Sequence, residues 1–176
     1  MHPEESQSNV NFQIRKTRLE EIDWVLPIYS RARQFMQETG NNDQWINGYP
    51  AREDILSDIG NGCSYVCISP GGELAGIFFF KTGNDETYDN IYDGRWLNDE
   101  PYGVIHRLAS SGAYKGVGDA CIQWCLEKCE NIRVDTHRDN RVMQHIFRKN
   151  GFVRCGLIYI RNGSERIAFQ SSWQAT

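Results

Sequence analysis

Tyr114-Lys115-Gly116-Val117-Gly118 is the stretch of this sequence whose residue types and spacing point most directly to chemistry. It lies between a run that reads as a strand (102–109) and one that reads as a helix (117–129). Two glycines around a valine at such a turn leave backbone N–H groups bare at a helix N-terminus. Bare amides and the positive end of the helix dipole together seat a phosphate or pyrophosphate. The expectation is therefore a protein that handles a phosphorylated cofactor. Titratable groups stand nearby. His106 lies in the preceding strand run, and an imidazole with an unperturbed pKa of about 6.5 suits proton transfer near neutral pH. Alternation puts His106 on a face with Val104 and Leu108 unless a bulge intervenes. Asp135 and His137 close a short strand and share a face by the same rule. Each of these has a structural reading as well: a hydrogen-bonded core histidine and an exposed strand end. Tyr159 is a candidate acid or a packing aromatic.

The elements that must position these groups alternate along the chain. Residues 11–17 alternate as a first strand. Thr17, followed three residues later by Glu20, forms a capping-box pattern ahead of a helix. That helix carries Ile22, Val25, Leu26, Tyr29, Ala32 and Phe35 at helical spacing, with Pro27 predicted to bend or break it. A loop at 40–50 holds Trp45 and Tyr49, and 51–59 reads as a second helix. Strands at 63–69 and 73–82 flank a Pro70-Gly71-Gly72 turn. Residues 83–100 loosen into a loop rich in Asp, Asn and Tyr. A strand at 132–135, a helix at 140–150 capped by Gly151, and strands at 152–160 and 165–170 around Asn162-Gly163 complete the order. The order β-α-α-β-β-β-α-β-α-β-β predicts an α/β (α+β) domain with a mixed sheet and flanking helices.

The chain has 176 residues, 40% hydrophobic and 24% charged, with a net charge of −4. Such a length suits one domain, expected over 11–176, behind a polar frayed tail at 1–10. No polybasic block points to nucleic acid, and no apolar run approaches a membrane span. Six cysteines do not read as a disulfide framework. Cys121, Cys125 and Cys129 fall on one helical stripe spread over about 12 Å, too extended for a tetrahedral metal, so no metal is expected. With no signal-peptide hydrophobic segment, the expected location is the cytoplasm.

Three segments resemble the GNAT N-acetyltransferases. They are Val104-Ile105-His106-Arg107-Leu108-Ala109-Ser110 with Tyr114-Lys115-Gly116-Val117-Gly118; Arg133-Val134-Asp135-Thr136-His137 with Asp139-Asn140; and Phe147-Arg148-Lys149-Asn150-Gly151-Phe152. The resemblance implies a central, mostly antiparallel mixed sheet and acetyl transfer from acetyl-CoA to the primary amine of a small-molecule or amino-acid-like acceptor. It implies that Leu108, Ala109 and Ser110, on a bulged fourth strand, pair with pantetheine. It places the pyrophosphate on the loop at 113–118, and it brings Asn140, Phe147 and Lys149 to the cofactor. Asn140 equally suits a helix cap, and Lys149 a helix C-terminus. Two departures stand out: Ala113 occupies a position where the family carries Arg or Gln, and Phe147 one where it often carries a tyrosine acid.

His106 is the first candidate base, with Asp135 and His137 as a second pair. Trp45, Tyr49 and the aromatic segment at 88–96, with Asp43, would wall an acceptor pocket. The exposed C-terminal strand pair would let a second copy extend the sheet as a homodimer. The alternative reading is a non-catalytic acyl-CoA-binding or sensing domain.

Overall fold

The structure, a computed structural model, describes residues 11–171. The expected tail at 1–10 lies outside the described residues. Strands β1 (Gln13–Lys16), β2 (Ser64–Ile68), β3 (Leu74–Thr82), β4 (Gly103–Ser110), β5 (Ile132–Thr136), β6 (Phe152–Tyr159) and β7 (Glu165–Ser171) form one sheet in the order β1-β2-β3-β4-β5-β7-β6. Every neighbouring pair is antiparallel except β4 with β5. Helices α1 (Ile22–Glu38) and α2 (Arg52–Gly60) cover one face, with Val25, Tyr29 and Ile55 packed on Val66, Ile77 and Ala109. Helices α3 (Val117–Lys128) and α4 (Arg141–Lys149) cover the other, with Cys121, Cys125 and Phe147 packed on Phe78, Ile105 and Val134. A third cluster, Tyr88, Tyr102, Val104, Ile158 and Ala168, lies beneath the 84–102 loop. The mixed sheet with flanking helices is the architecture the element order predicted, and its mostly antiparallel pairing is what the resemblance implied.

Local expectations shift in three places. Helix α1 runs through Pro27 unbroken. The proline is its sixth residue, so the missing N–H leaves one carbonyl unmatched, that of the exposed Asp23 in the first turn. The predicted Thr17 cap moves by one residue. The Thr17 hydroxyl pairs with Ser64 Oγ at 2.7 Å. The Glu21 carboxylate instead accepts from the Arg18 N–H at 2.8 Å and from Arg15 at 2.8 and 2.9 Å.

The β6 edge is also covered. Tyr92 exchanges two backbone hydrogen bonds with Leu157, of 2.8 and 2.7 Å, and the Arg95 N–H donates to the Cys155 carbonyl at 2.9 Å. Those groups are consumed, so this edge does not offer the free strand pair expected to extend a second copy's sheet.

The edge cover requires close backbone approach. A Cβ at Gly156 would fall 2.5 Å from the Tyr92 carbonyl oxygen. Gly156→Ala is expected to lower Tm by about 3–10 °C, the effect of about 1–3 kcal/mol of overpacking. Gly60→Ala, where a Cβ meets nothing within 4 Å, is expected to hold or raise Tm. Equal melting of the two variants in differential scanning calorimetry would refute the edge-cover account.

Candidate active site

The centre of the site is an irregularity in β4. Ile77 pairs with Ala109 but Phe79 pairs with His106, so Phe78 opposes both Arg107 and Leu108. Arg107 occupies the left-handed region at φ 51°, which costs an L-residue about 1–2 kcal/mol. The surroundings hold it there. Asp58 on α2 accepts from its guanidinium at 2.8 and 2.7 Å, and the Tyr49 hydroxyl accepts at 2.9 Å. The Phe79 ring lies 4.7 Å beneath, and the Tyr29 hydroxyl on α1 donates to the Arg107 carbonyl at 2.9 Å. Burial pulls the Arg107 pKa down, but Tyr49 and Asp58 outweigh it and the guanidinium is held above its ordinary value. Burial drives the Asp58 carboxyl up against the opposing pull of Arg107.

The bulge resets the alternation of the strand. Leu108 packs with Ile105 on the α3/α4 side, while Ala109 joins the α1/α2 side. His106 therefore does not share a face with Leu108. β4 pairs with β5 only at Gly103–Ile132 and Val104–Arg133. Beyond Val104 the two strands part, and a cavity of about 670 Å³ opens between them.

His106 enters this cavity with its two nitrogens in different environments. Nε2 lies 2.7 Å from Asp85 Oδ2, and Nδ1 lies 3.9 Å from Asp135 Oδ1. Phe79 and Tyr88 pack on the ring. Asp135 Oδ1 accepts from the buried Tyr88 hydroxyl at 2.6 Å. Burial pushes the Tyr88 phenol well above its ordinary range, and the Asp135 charge adds to the rise. Burial also works to raise Asp85, but the hydrogen bond and charge of His106 and the donors of Thr87 prevail, leaving the carboxyl well below the usual range. An ionised Asp85 accepts the Nε2 proton, so the neutral form of the imidazole carries its lone pair on Nδ1.

The expected site residues distribute unevenly. His106, Leu108, Asp135, Asn140, Phe147, Trp45 and Tyr49 line the cavity. Asn140 caps α4, its side-chain oxygen accepting from the Met143 N–H at 3.0 Å and its amide donating to Gln44 at 2.9 Å. His137 does not join Asp135. It lies past the end of β5, where its Nδ1 accepts from the Asp139 N–H at 3.0 Å. Burial lowers its pKa, and Arg166 adds to that. Asp43, His137 and Asp139 present ligand-type atoms within 4.8 Å of one another. Tyr159 is 47% exposed and packs on Tyr92 at the sheet edge, outside the cavity. Of the aromatic segment, Tyr88 lies beneath His106 and Trp96 stacks on Arg133; neither lines the cavity. Lys149 pairs with Asp119 of α3 at 2.9 Å.

The glycine loop continues from β4. Gly116 caps α3 at φ 78°, a conformation that favours glycine. None of the N–H groups at 114–118 donates a hydrogen bond among the described residues. Tyr114 turns back: its hydroxyl donates to Glu73, and its ring meets Phe12. Lys115 is exposed, and Ala113 and Ser110 contribute no charge. Arg31 of α1 lies against the loop, since a Cβ at Gly112 would sit 1.4 Å from its Nη1. Arg31 forms no ion pair among the described residues. Asp58, Asp85 and Arg107 carry no local signal in the sequence, because each meets its charged partner only across the fold; Arg166 and Arg31 reach the cavity and the loop only through the tertiary fold.

A comparison with solved structures agrees with this geometry. The chain is similar to an acetyltransferase of the GNAT family from Streptococcus agalactiae 2603, at 37% identity over 95% of this chain and 100% of that one, with a TM-score of 0.83. The chain belongs to the GNAT acetyltransferase family. It shares the fold of a GNAT-family acetyltransferase from Listeria monocytogenes 4b F2365, at 18% identity over 93% and 96% of the two chains and a TM-score of 0.69. It also shares the fold of the ribosomal-protein-S18-alanine N-acetyltransferase from Escherichia coli, at 13% identity over 94% and 97% and a TM-score of 0.59. No protein-family model and no curated protein matches the chain. No helix among the described residues is long and apolar enough to cross a membrane.

The Asp85 carboxyl titrates lower folded than unfolded. Its contribution to stability is therefore present above the unfolded value of about 3.9 and is lost as pH falls below about 4. Asp85→Asn is expected to lower Tm at pH 6 and to flatten the fall of Tm between pH 5 and pH 3. An acid slope identical to that of the parent protein would contradict the Asp85–His106 pairing.

Proposed function

We propose that the protein transfers the acetyl group of acetyl-CoA to a primary amine bound in the cavity, by direct attack and without an acyl-enzyme. The observation that carries this reading is the parting of β4 from β5 at the Arg107 bulge, beside a loop whose amides are unspent. Acetyl-CoA brings the acyl group as a thioester. The N–H groups of residues 114–118, the positive end of α3 and Lys115 suit its pyrophosphate. Arg31, pressed against Gly112, supplies the charge that Ala113 cannot. The backbone of Leu108, Ala109 and Ser110 beyond the last β4–β5 pair is the surface for the pantetheine arm.

His106 is the general base. Asp85 holds its Nε2 proton, so Nδ1 takes the proton that the amine loses as the N–C bond forms and the C–S bond breaks. Asp135, tied to Tyr88, lies 3.9 Å from Nδ1; it favours binding of the ammonium, which gives its first proton to solvent so that the neutral amine attacks, and it favours the imidazolium that forms when Nδ1 takes the second. Phe147 has no proton to give. A thiol with a pKa of about 8.5 is acidic enough to depart as thiolate, so the chemistry does not require an acid there.

Thiol release with an amine panel tests the reading. His106→Ala and Asp85→Asn are each expected to lower kcat/KM by about 10²–10⁴-fold while acetyl-CoA affinity by calorimetry stays within about twofold. Acetyl-CoA that binds without thiol release for any amine would mark a sensing domain instead.

Arg31→Ala is expected to weaken acetyl-CoA binding about tenfold, the worth of one charge-assisted contact. Gly116→Asp is expected to weaken it further, through the strained φ and a carboxylate beside the pyrophosphate. Unchanged affinity in both variants would remove the loop as the phosphate seat.

A further inference from the structure

Two buried arginines, Arg133 and Arg166, and the half-buried Arg107 flank this part of the sheet, and their charges are met differently. Arg107 is matched by the Asp58 carboxylate in two hydrogen bonds. Arg133 is sandwiched by the Trp96 and Tyr102 rings at 4.4 and 4.1 Å, with one donor on the Asn98 carbonyl. Its Nε is sealed from solvent and lies away from the cavity. Arg166, on β7, is 4% exposed and has no carboxylate within 4.0 Å among the described residues. Its Nη1 donates to Ser164 Oγ and to the Glu165 carbonyl at 3.0 Å, and its Nη2 to the Gln44 carbonyl at 2.9 Å. The Nε–H and one Nη2–H have no partner among the described residues, and this Nε is not among the sealed polar atoms. Arg166 lines the cavity.

A buried cation with no carboxylate in contact is costly: burial opposes the Arg166 charge, and Asp135 supports it only from a distance. The fold places it on the same face as the chemistry. Asp135 pairs with Ala168 across β5 and β7, and Arg166 lies two residues from Ala168. That diagonal is about 7–8 Å at the backbone, short enough for one small molecule to reach both side chains. One end of the cavity therefore offers His106 and Asp135 to an ammonium, and the other offers guanidinium donors to an anion. Trp45, Tyr49, Ile46, Met36 and Met143 supply apolar wall between them.

We propose that the acceptor is an amino acid whose carboxylate is bound by Arg166 while its amine faces His106 and Asp135. The assignment rests on the transferase reading for its amine end and names the substrate class of that same cavity. Planar guanidinium donors match the two oxygens of a carboxylate. A site built to bond a polar group discriminates strongly against the analogue that lacks it, because its own buried donors are then unpaired. Polyamines, which carry only cations, would place a second positive charge beside Arg166.

The test uses matched pairs on the intact protein: L-leucine, L-methionine, L-phenylalanine and L-tryptophan, each against its own amide. Thiol release gives kcat/KM, and calorimetry on the CoA-loaded protein gives affinity independently of turnover. At least one acid is expected to exceed its amide by about 10²-fold or more in kcat/KM, and the same acid to bind the CoA-loaded protein where its amide does not. Arg166→Gln is expected to collapse the acid-over-amide ratio toward one through KM, and Arg166→Lys to retain part of it, with Tm reporting the fold of each variant.

Acetylation of amides as fast as acids, a ratio unchanged in Arg166→Gln, or no acid binding in preference to its amide would each overturn the carboxylate seat. The first two would leave acetyl transfer standing. Carboxylate-dependent binding with no thiol release would support the seat while removing the transferase reading.

Discussion

The clamp on Arg107 is the constraint from which the rest of the site follows. A non-glycine residue in the left-handed region persists only where its surroundings over-determine it. Here Asp58, Tyr49, Tyr29 and Phe79 do so from α2, the 40–50 loop, α1 and β3. The bulge turns Leu108 and Ala109 to faces opposite those that plain alternation assigns, and it accompanies the parting of β4 from β5. A cavity in the middle of a sheet would otherwise be filled by ladder hydrogen bonds. Docking of the two N-terminal helices is thus coupled to the shape of the site, because their side chains hold the bulge.

The same burial that shapes the cavity sorts its charges. Asp58 answers Arg107 and Asp85 answers His106, and the imidazole is left with one open nitrogen. Asp135 is steadied by the Tyr88 hydroxyl. Two buried arginines lack a contacting carboxylate among the described residues: Arg133 is closed in by Trp96 and Tyr102, whereas Arg166 faces the cavity. The loop at 114–118 shows the same logic in backbone form: Tyr114 is turned away onto Glu73, Gly116 opens the turn, and the amides stay free.

Periodicity and turn chemistry made most of the fold legible. Asn162-Gly163 placed the last hairpin, and Gly151, at φ 87°, ended the helix before β6. His106 stood out as a titratable group beside a phosphate loop. Its partner did not: Asp85 sits in a loop without periodicity, 21 residues away, and nothing local distinguishes it from the acids around it. Asp135 and His137 look paired because strands alternate, yet β5 ends at Thr136 and the rule ends with it. Lys149 looks free for a phosphate because Asp119, 30 residues distant, is invisible to a local reading.

Sequence alone determined the order of elements, the glycine turn at the head of α3 and the membership those motifs announce, since each depends on residues within a few positions of one another. Tertiary structure decided which carboxylate met which cation, where β4 bulged and which buried arginine was left facing the cavity. Those outcomes depend on side chains brought together across the sheet from separate helices and loops, and burial changes the energy of a charge only once such an enclosure exists.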